Sequence, residues 1–189
     1  MRIEAPHALP DLLVRPARIA EIATLETLIA ASARVLSRGF YSEAETEAAI
    51  EHVFGVDTDL VDDGTYLVVE DEEGRLLGCG GWSRQRTLFG SDRFAARTPG
   101  FLDPAVDAAR IRAFFVAPEA ARRGVGATLL NACETRAAAS GFTRTALMAT
   151  LPGVPFYARH GYVAGEPVSH PCGDLFVGFV PMSKDLLHI

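Results

Sequence analysis

The chain has 189 residues, of which 49% are hydrophobic, and its formal net charge at pH 7 is −6. This size predicts one domain over residues 1–189 with a single core. The acidic balance argues against broad nucleic-acid binding, and no apolar run approaches the ~20 residues that a membrane span needs. Met1–Glu4 does not open a signal peptide, so we expect a cytoplasmic protein without membrane or nucleic-acid partners.

The first third of the chain predicts a strand followed by two helices. Leu12–Ala17 indicates a short edge strand that contains a proline. Apolar residues recur at helical spacing over residues 22–36, which predicts an amphipathic helix. Ser42 and Glu45 then form a Ser-x-x-Glu capping box for a second helix, which we expect Gly55 to end.

A hairpin and a long irregular segment come next. Thr65–Glu70 and Arg75–Ser83 predict two antiparallel strands around the turn Asp71–Gly74. The glycines at positions 78, 80 and 81 would weaken an ordinary strand, so they predict a bulge or the close approach of another backbone or a ligand. Residues 84–109 lack periodicity, which is typical of a functional flap or of a partly disordered segment.

The segment 111–130 runs from an apolar strand through a glycine turn into a helix. The first N–H groups of a helix lack internal acceptors and carry partial positive charge. Gly124 and Gly126 remove the Cβ atoms that would hold a phosphate away from these groups. Arg122 and Arg123 oppose the helix dipole, so they make better sense beside an added anion. The segment therefore predicts a phosphate-binding turn.

The spacing of this turn excludes two common phosphate loops. Ala127 follows the last glycine where a Walker loop has lysine, and the third glycine of a dinucleotide fingerprint is missing. Gly124–Gly126 instead resembles the Gln/Arg-x-x-Gly-x-Gly/Ala signature of the GNAT superfamily of acyl-CoA-dependent N-acetyltransferases. Ala121 stands where that family usually has Gln or Arg, so the resemblance assigns the pyrophosphate to the backbone amides of Arg123–Thr128.

A second motif, over residues 146–162, resembles the strand, short helix and Phe-Tyr-x-x-x-Gly-Phe/Tyr ending of the same superfamily. The resemblance places Tyr157 beside the coenzyme A sulfur and makes it the candidate catalytic residue. Thr150 stands where many members have an asparagine that touches the coenzyme. Leu175–Met182 then supplies a terminal strand.

The resemblance implies an α/β (α+β) fold in which helices flank a mixed sheet of about six to seven strands. Two central parallel strands would splay apart into a cleft for acetyl-CoA, the acyl donor. The acceptor would be a primary amine, on a small molecule or a protein, next to the loop 84–109. A homodimer is a family-level expectation. The implied coenzyme-binding residues are Phe114, Phe115, Val116, Arg122, Arg123, Gly124, Val125, Gly126, Ala127, Thr128 and Thr150.

Two function classes remain open. The first is an N-acetyltransferase in which the amine attacks the thioester directly in a ternary complex, with the N–H of Phe114 facing the thioester oxygen. The second is a non-catalytic acyl-CoA-binding or regulatory module with the same fold. No general base is assigned, because Glu70, Asp107, Glu166 and His170 are candidates by residue type only.

Other polar residues receive ordinary interpretations. His170 and Cys172 lie two apart without a further ligand pair, so no metal site is predicted. The three cysteines are far apart and are expected to be reduced, partly buried thiols. Arg110 and Arg112 alternate on one strand, where we expect solvated side chains.

Overall fold

The structure is a computed structural model that describes residues 12–87, 90–93 and 98–186. Its centre is one mixed sheet of eight strands in the order β1-β2-β3-β4-β5-β8-β6, with β7 paired to β8. The strands are β1 Leu13–Pro16, β2 Tyr66–Glu70, β3 Leu76–Ser83, β4 Ala109–Val116, β5 Arg144–Thr150, β6 Val163–Ala164, β7 Val168–Cys172 and β8 Leu175–Asp185. The helices are α1 Ile22–Leu36, α2 Glu43–His52, α3 Thr58–Asp62, α4 Val125–Ala139 and α5 Val154–Arg159.

The sheet confirms the predicted fold class and its pair of central parallel strands. β4 and β5 pair in parallel, whereas every other pair of neighbouring strands is antiparallel. The strands that sequence reasoning missed are β6, which has two exposed residues, and β7, which carries Pro171. Neither has the apolar alternation by which a strand is recognised in a sequence.

The first helices begin as predicted, but one of them ends early. Ser42 Oγ accepts a hydrogen bond of 3.1 Å from the Glu45 N–H, and the Glu45 carboxylate accepts one of 2.7 Å from the Ser42 N–H. The expectation that Gly55 ends this helix is wrong, because α2 stops at His52. Val53 and Phe54 leave the helix and are buried in the core instead.

The predicted hairpin of β2 and β3 is present, and its glycines lie where another backbone approaches. A Cβ atom built on Gly80 would lie 2.7 Å from Cδ2 of Phe114 on β4. The core lies between the sheet and the helices α1 and α4, with Leu25 and Ile29 from one helix and Leu129 and Leu130 from the other. This packing fixes β4, the strand on which the site is built.

Candidate functional site

The two central strands separate after a short paired stretch. β4 and β5 pair only from Ala109–Ile111 to Thr145–Leu147, and both strands continue beyond that point without pairing to each other. The separation leaves main-chain groups of β4 facing an open wedge. This wedge is the cleft that the sequence predicts.

A bulge in β4 marks the place where the strands diverge. Cys79 pairs with Phe115 and Gly81 with Arg112, so Gly80 alone stands opposite Ala113 and Phe114. Ala113 has a φ of 49°, in the left-handed region that residues with a side chain rarely adopt. The bulge re-aims the backbone of Phe114 relative to a regular strand.

A hydrogen bond from Tyr66 stabilises this bulge. Its fully buried hydroxyl donates a hydrogen bond of 3.0 Å to the carbonyl oxygen of Ala113. Ala113 is half-buried at a strained position of the bulge, and leaving a carbonyl that is shielded from water without its partner costs about 1–3 kcal/mol. Sequence reasoning missed this role, because Tyr66 lies in an apolar run typical of ordinary core residues.

Beyond the bulge, successive side chains of β4 serve opposite faces of the sheet. The ring of Phe114 packs against the aromatic rings of Phe156 and Tyr157, with centroids 6.1 and 6.0 Å away. The ring of Phe115 packs against Phe54, which follows α2, at 5.3 Å. The strand therefore separates a surface next to α5 from a surface next to α2.

The start of α4 offers unused hydrogen-bond donors. Gly124 caps the helix with a φ of 85°, and no hydrogen bond within the described part of the chain uses the N–H groups of residues 124–127. The N–H groups of Arg123 and Thr128 already bond to the carbonyl oxygens of Ala120 and Gly124, at 3.4 and 2.9 Å. The N–H groups that remain available to an anion are therefore those of residues 124–127, which is a shorter stretch than the expected Arg123–Thr128. Gly124 is exposed, so an anion can reach it.

A cavity of about 740 Å³ joins this helix start to the wedge. Among the expected coenzyme-binding residues, three do not line it: Arg123 is exposed, Val125 is buried under the helix start, and Thr128 is half-buried. Arg159 lines it too, and no sequence motif had selected this residue. The other expected residues all line it, namely Phe114, Phe115, Val116, Arg122, Gly124, Gly126, Ala127, Thr150 and Tyr157.

Tyr157 lies in α5 at the middle of the cavity lining. Its ring contacts those of Phe156 and Tyr162, with centroids at 5.1 and 5.6 Å. Burial in these apolar surroundings raises the pKa of the Tyr157 hydroxyl well above its ordinary value. No hydrogen bond within the described residues engages this hydroxyl, whereas that of Tyr162 bonds to Thr145 Oγ1 at 2.8 Å. Tyr157 therefore keeps its proton at neutral pH, and its hydroxyl has no acceptor among the described residues.

The remaining end of the cavity lies between the end of α1 and the residues that follow α2. Within the described part of the chain, neither a carboxylate nor a histidine lines the cavity. Of the candidate bases, Glu70 bonds to Arg15 at 2.9 Å and Asp107 to the Asp103 N–H at 2.8 Å. Glu166 is exposed, and His170 lies on β7 away from the lining.

The expectation that the arginines of β4 are solvated is wrong for Arg112. Its side chain is fully buried and pairs with the equally buried Asp57 at 2.5 Å. It also donates a hydrogen bond of 2.9 Å to the carbonyl oxygen of Gly90, in the segment predicted as a functional loop. Arg110 is half-buried, and burial lowers the pKa of its guanidinium group. Arg112 thus links α3, the loop and the wedge.

The described residues lack two further kinds of feature. They include no helix with both the length and the apolar character of a membrane span. They also contain no group of three or more His, Cys, Asp or Glu side chains placed to hold a metal ion.

Solved structures of N-acetyltransferases share this architecture. A GCN5-related N-acetyltransferase from Rhodopseudomonas palustris superposes with a TM-score of 0.69 at 22% identity, covering 95% of this chain and 97% of that one. The PaiA N-acetyltransferase from Thermoplasma acidophilum, solved with coenzyme A, gives 0.63 at 16% identity, covering 93% and 99%. Naa20 from Chaetomium thermophilum, solved with a bisubstrate analogue, gives 0.57 at 20% identity, covering 92% and 86%. These likenesses show the fold.

The sequence itself identifies the family. No curated protein matches the chain. The family model described as Acetyltransferase (GNAT) family, however, matches residues 30–162, which include the bulged strand, the glycine turn and Tyr157. The chain therefore belongs to the GNAT acetyltransferase family.

Proposed function

We propose that the protein is an N-acetyltransferase, organised as a single domain over residues 1–189, that moves an acetyl group from acetyl-CoA to a primary amine. The observation that carries this proposal is the single cavity that is lined both by the start of α4, with its unused N–H groups, and by Tyr157. A diphosphate fits the first feature and a thioester sulfur the second. The expected homodimer and cytoplasmic location stay predictions.

The residues around the helix start suit the coenzyme. The N–H groups of residues 124–127 would donate to the pyrophosphate, and the helix dipole would favour its negative charge. Arg122 and Arg159 line the same cavity and would neutralise further phosphate charge. The main-chain groups of Phe114 and Val116 would bind the pantetheine arm where β4 has lost its partner β5. The PaiA structure, which holds coenzyme A, supports this ligand class.

Three groups of the chain would then assist the transfer. The wedge would hold the neutral amine next to the thioester carbon, so that proximity lowers the barrier to attack. The N–H of Phe114 would donate to the carbonyl oxygen as it gains negative charge. The C–N bond forms, the C–S bond breaks, the departing sulfur takes a hydrogen bond or a proton from Tyr157, and the amine releases its proton to water.

The raised pKa of Tyr157 favours hydrogen-bond donation over complete proton transfer. An ordinary tyrosine, with a pKa near 10, is already a weaker acid than a thiol with a pKa of about 8.5. Burial moves the pKa of Tyr157 further up. A hydrogen bond to the thiolate still stabilises the leaving group, because bonds to charged acceptors contribute about 1.5–3 kcal/mol.

The second candidate function is a non-catalytic acyl-CoA-binding module. The observation that favours it is the lack of a carboxylate or histidine in the cavity lining, within the described residues. Such a module would bind the coenzyme at the helix start but would not accelerate the reaction. The two functions therefore differ in turnover and agree in coenzyme binding.

Two measurements test the proposal in sequence. At a hundredfold excess over its dissociation constant, acetyl-CoA should stabilise the native protein by ~2.7 kcal/mol, which raises Tm by roughly 5–11 °C for this chain length. Thiol release from acetyl-CoA across a panel of amines then separates an enzyme from a binder. An unchanged Tm would contradict the ligand class, and a shifted Tm without thiol release for any amine would favour the non-catalytic module.

A further inference from the structure

We infer that the acceptor is a small primary amine with an apolar body of aromatic size and no second charged group. This inference rests on the proposed function and adds the substrate class to it. It concerns the end of the cavity next to α1 and α2, which we call the acceptor chamber. We define the chamber by the cavity-lining residues Leu36, Ser37, Phe40, Phe54, Arg112, Phe115, Met148 and Phe179.

Aromatic rings form the walls of the acceptor chamber. Phe54 stands edge-on to Phe115 at 5.3 Å and to Phe179 at 6.2 Å, with interplanar angles of 68° and 88°. Leu36 and Met148 are half-buried and complete an apolar surface. Such a surface gains free energy from covering carbon atoms of a ligand, and edge-to-face rings accept a further ring readily.

The rim and the polar groups of the chamber fit the same ligand. Phe40 is 50% exposed at the rim, where a large apolar side chain gains by covering a bound ring. Arg112 is the charged side chain of the chamber. Its partner Asp57 is fully buried and does not line the cavity, and the two opposite charges leave the chamber with little net charge. No carboxylate is among the described lining residues, and that of Glu26, which lies next to the lining, is already paired with Arg93, so a second ammonium group would find no free partner there. Burying such a charge without a partner is expensive, which disfavours diamines and polyamines.

The loop between α1 and α2 limits the length of the acceptor. Tyr41 donates a hydrogen bond of 2.6 Å from its hydroxyl to the carbonyl oxygen of Gly178 on β8, and it accepts one of 2.8 Å from the Leu151 N–H. The loop is therefore tied to β8 and to the residue that follows β5. Since Ser37 and Phe40 of this loop line the chamber, the tie fixes one wall of it, and we expect a bulky extension on the amine, such as a further amino acid, to be disfavoured.

The test compares three amines on the intact chain saturated with acetyl-CoA. They are 2-phenylethylamine, 1,4-diaminobutane and the dipeptide phenylalanyl-alanine. We expect kcat/KM for 2-phenylethylamine to exceed that for the diamine by at least about 100-fold and that for the dipeptide by at least about tenfold. Calorimetric binding of each amine to the protein saturated with coenzyme A should give the same order, whether or not turnover occurs.

A charge substitution in the chamber sharpens the test. Leu36→Asp places a carboxylate in the lining and should shrink the preference for 2-phenylethylamine over the diamine by at least about tenfold. Val35→Asp makes the same change one residue earlier, at a position outside the lining, and should leave that ratio within about twofold. If Leu36→Asp does not fold, Phe40→Ala at the exposed rim should weaken 2-phenylethylamine about fivefold without affecting the diamine.

The outcomes separate this inference from the proposed function. Preferred binding of 2-phenylethylamine without acetylation would uphold the chamber and contradict the enzyme. Acetylation of the diamine or the dipeptide at least as fast as of 2-phenylethylamine would uphold the enzyme and overturn the chamber. Equal effects of Leu36→Asp and Val35→Asp on the ratio would also overturn it.

Discussion

The two ends of the cavity are built from different parts of the polypeptide. At the start of α4 the groups that would meet a ligand are main-chain N–H groups, carried by one continuous segment. At the acceptor chamber they are side chains from α1, β4, β5, β8 and the residues after α2. A main-chain site tolerates many sequences as long as its glycines remain, whereas a side-chain site changes with every residue of its lining. The first end therefore suits an invariant ligand, and the second suits a variable one.

The largest effect should follow from a charge at the main-chain end. Gly126→Asp places a carboxylate among the N–H groups of the turn, so we expect the affinity for coenzyme A to fall at least about 100-fold, or ~2.7 kcal/mol. Isothermal titration calorimetry measures this affinity.

Two control variants distinguish the effect of the added charge on coenzyme affinity from the effect of the added volume. Gly126→Ala adds only a Cβ atom, 3.2 Å from two ring carbons of Phe156, and a small shift of that half-buried ring should limit the loss to about fivefold. Asn131→Asp adds the same charge on an exposed turn of α4 and should leave the affinity unchanged. A similar loss for Gly126→Ala and Gly126→Asp would remove the electrostatic argument.

Tyr157→Phe should have the next largest effect, and on turnover alone. The variant loses the hydroxyl that we propose as the donor to the leaving sulfur, so kcat should fall about 30-fold, or ~2 kcal/mol. The affinity for coenzyme A should stay within about twofold, because the phosphates bind elsewhere. Pre-steady-state thiol release measures the step. Normal turnover of Tyr157→Phe would take this residue out of the mechanism.

A smaller effect is expected at the support of the bulge. Tyr66→Phe leaves the Ala113 carbonyl without its buried donor, which should lower the free energy of unfolding by about 1–2 kcal/mol and kcat about fivefold. The loss of kcat follows because the N–H of Phe114 would point less accurately at the thioester oxygen. Tyr162→Phe removes another buried hydroxyl bond without touching the bulge, and it should lower stability but not kcat. Equal loss of kcat in both variants would mean that the bulge needs no support.

The contrast between a main-chain site and a side-chain site also explains which features could be predicted from the sequence. Gly124 and Gly126 could be interpreted without a structure, because the backbone geometry of a turn depends on nearby residues. The separation of β4 from β5 followed from the family resemblance and is confirmed. The acceptor chamber could not be predicted, since Phe54, Phe115 and Phe179 are distant in sequence and only folding brings them together. The buried pair of Asp57 and Arg112 was missed for the same reason, because no local pattern distinguishes it from solvated charges.

The last prediction concerns the pH dependence of turnover, which depends on the acceptor amine and on Tyr157. The acceptor must lose a proton before it attacks, so kcat/KM should rise with pH towards the pKa of an alkylamine, about 10. Because burial raises the pKa of Tyr157, its hydroxyl keeps its proton across this range, and no falling limb should appear below about pH 10.

Burial also raises the pKa of Tyr66 and Tyr162 in the folded state, so stability is lost as pH rises through the pKa of unfolded tyrosine near 10. Circular dichroism at each pH must therefore accompany the rates. A falling limb centred at or below about pH 10, present in the native protein and missing in Tyr157→Phe, would show instead that Tyr157 ionises as an ordinary or acidic tyrosine.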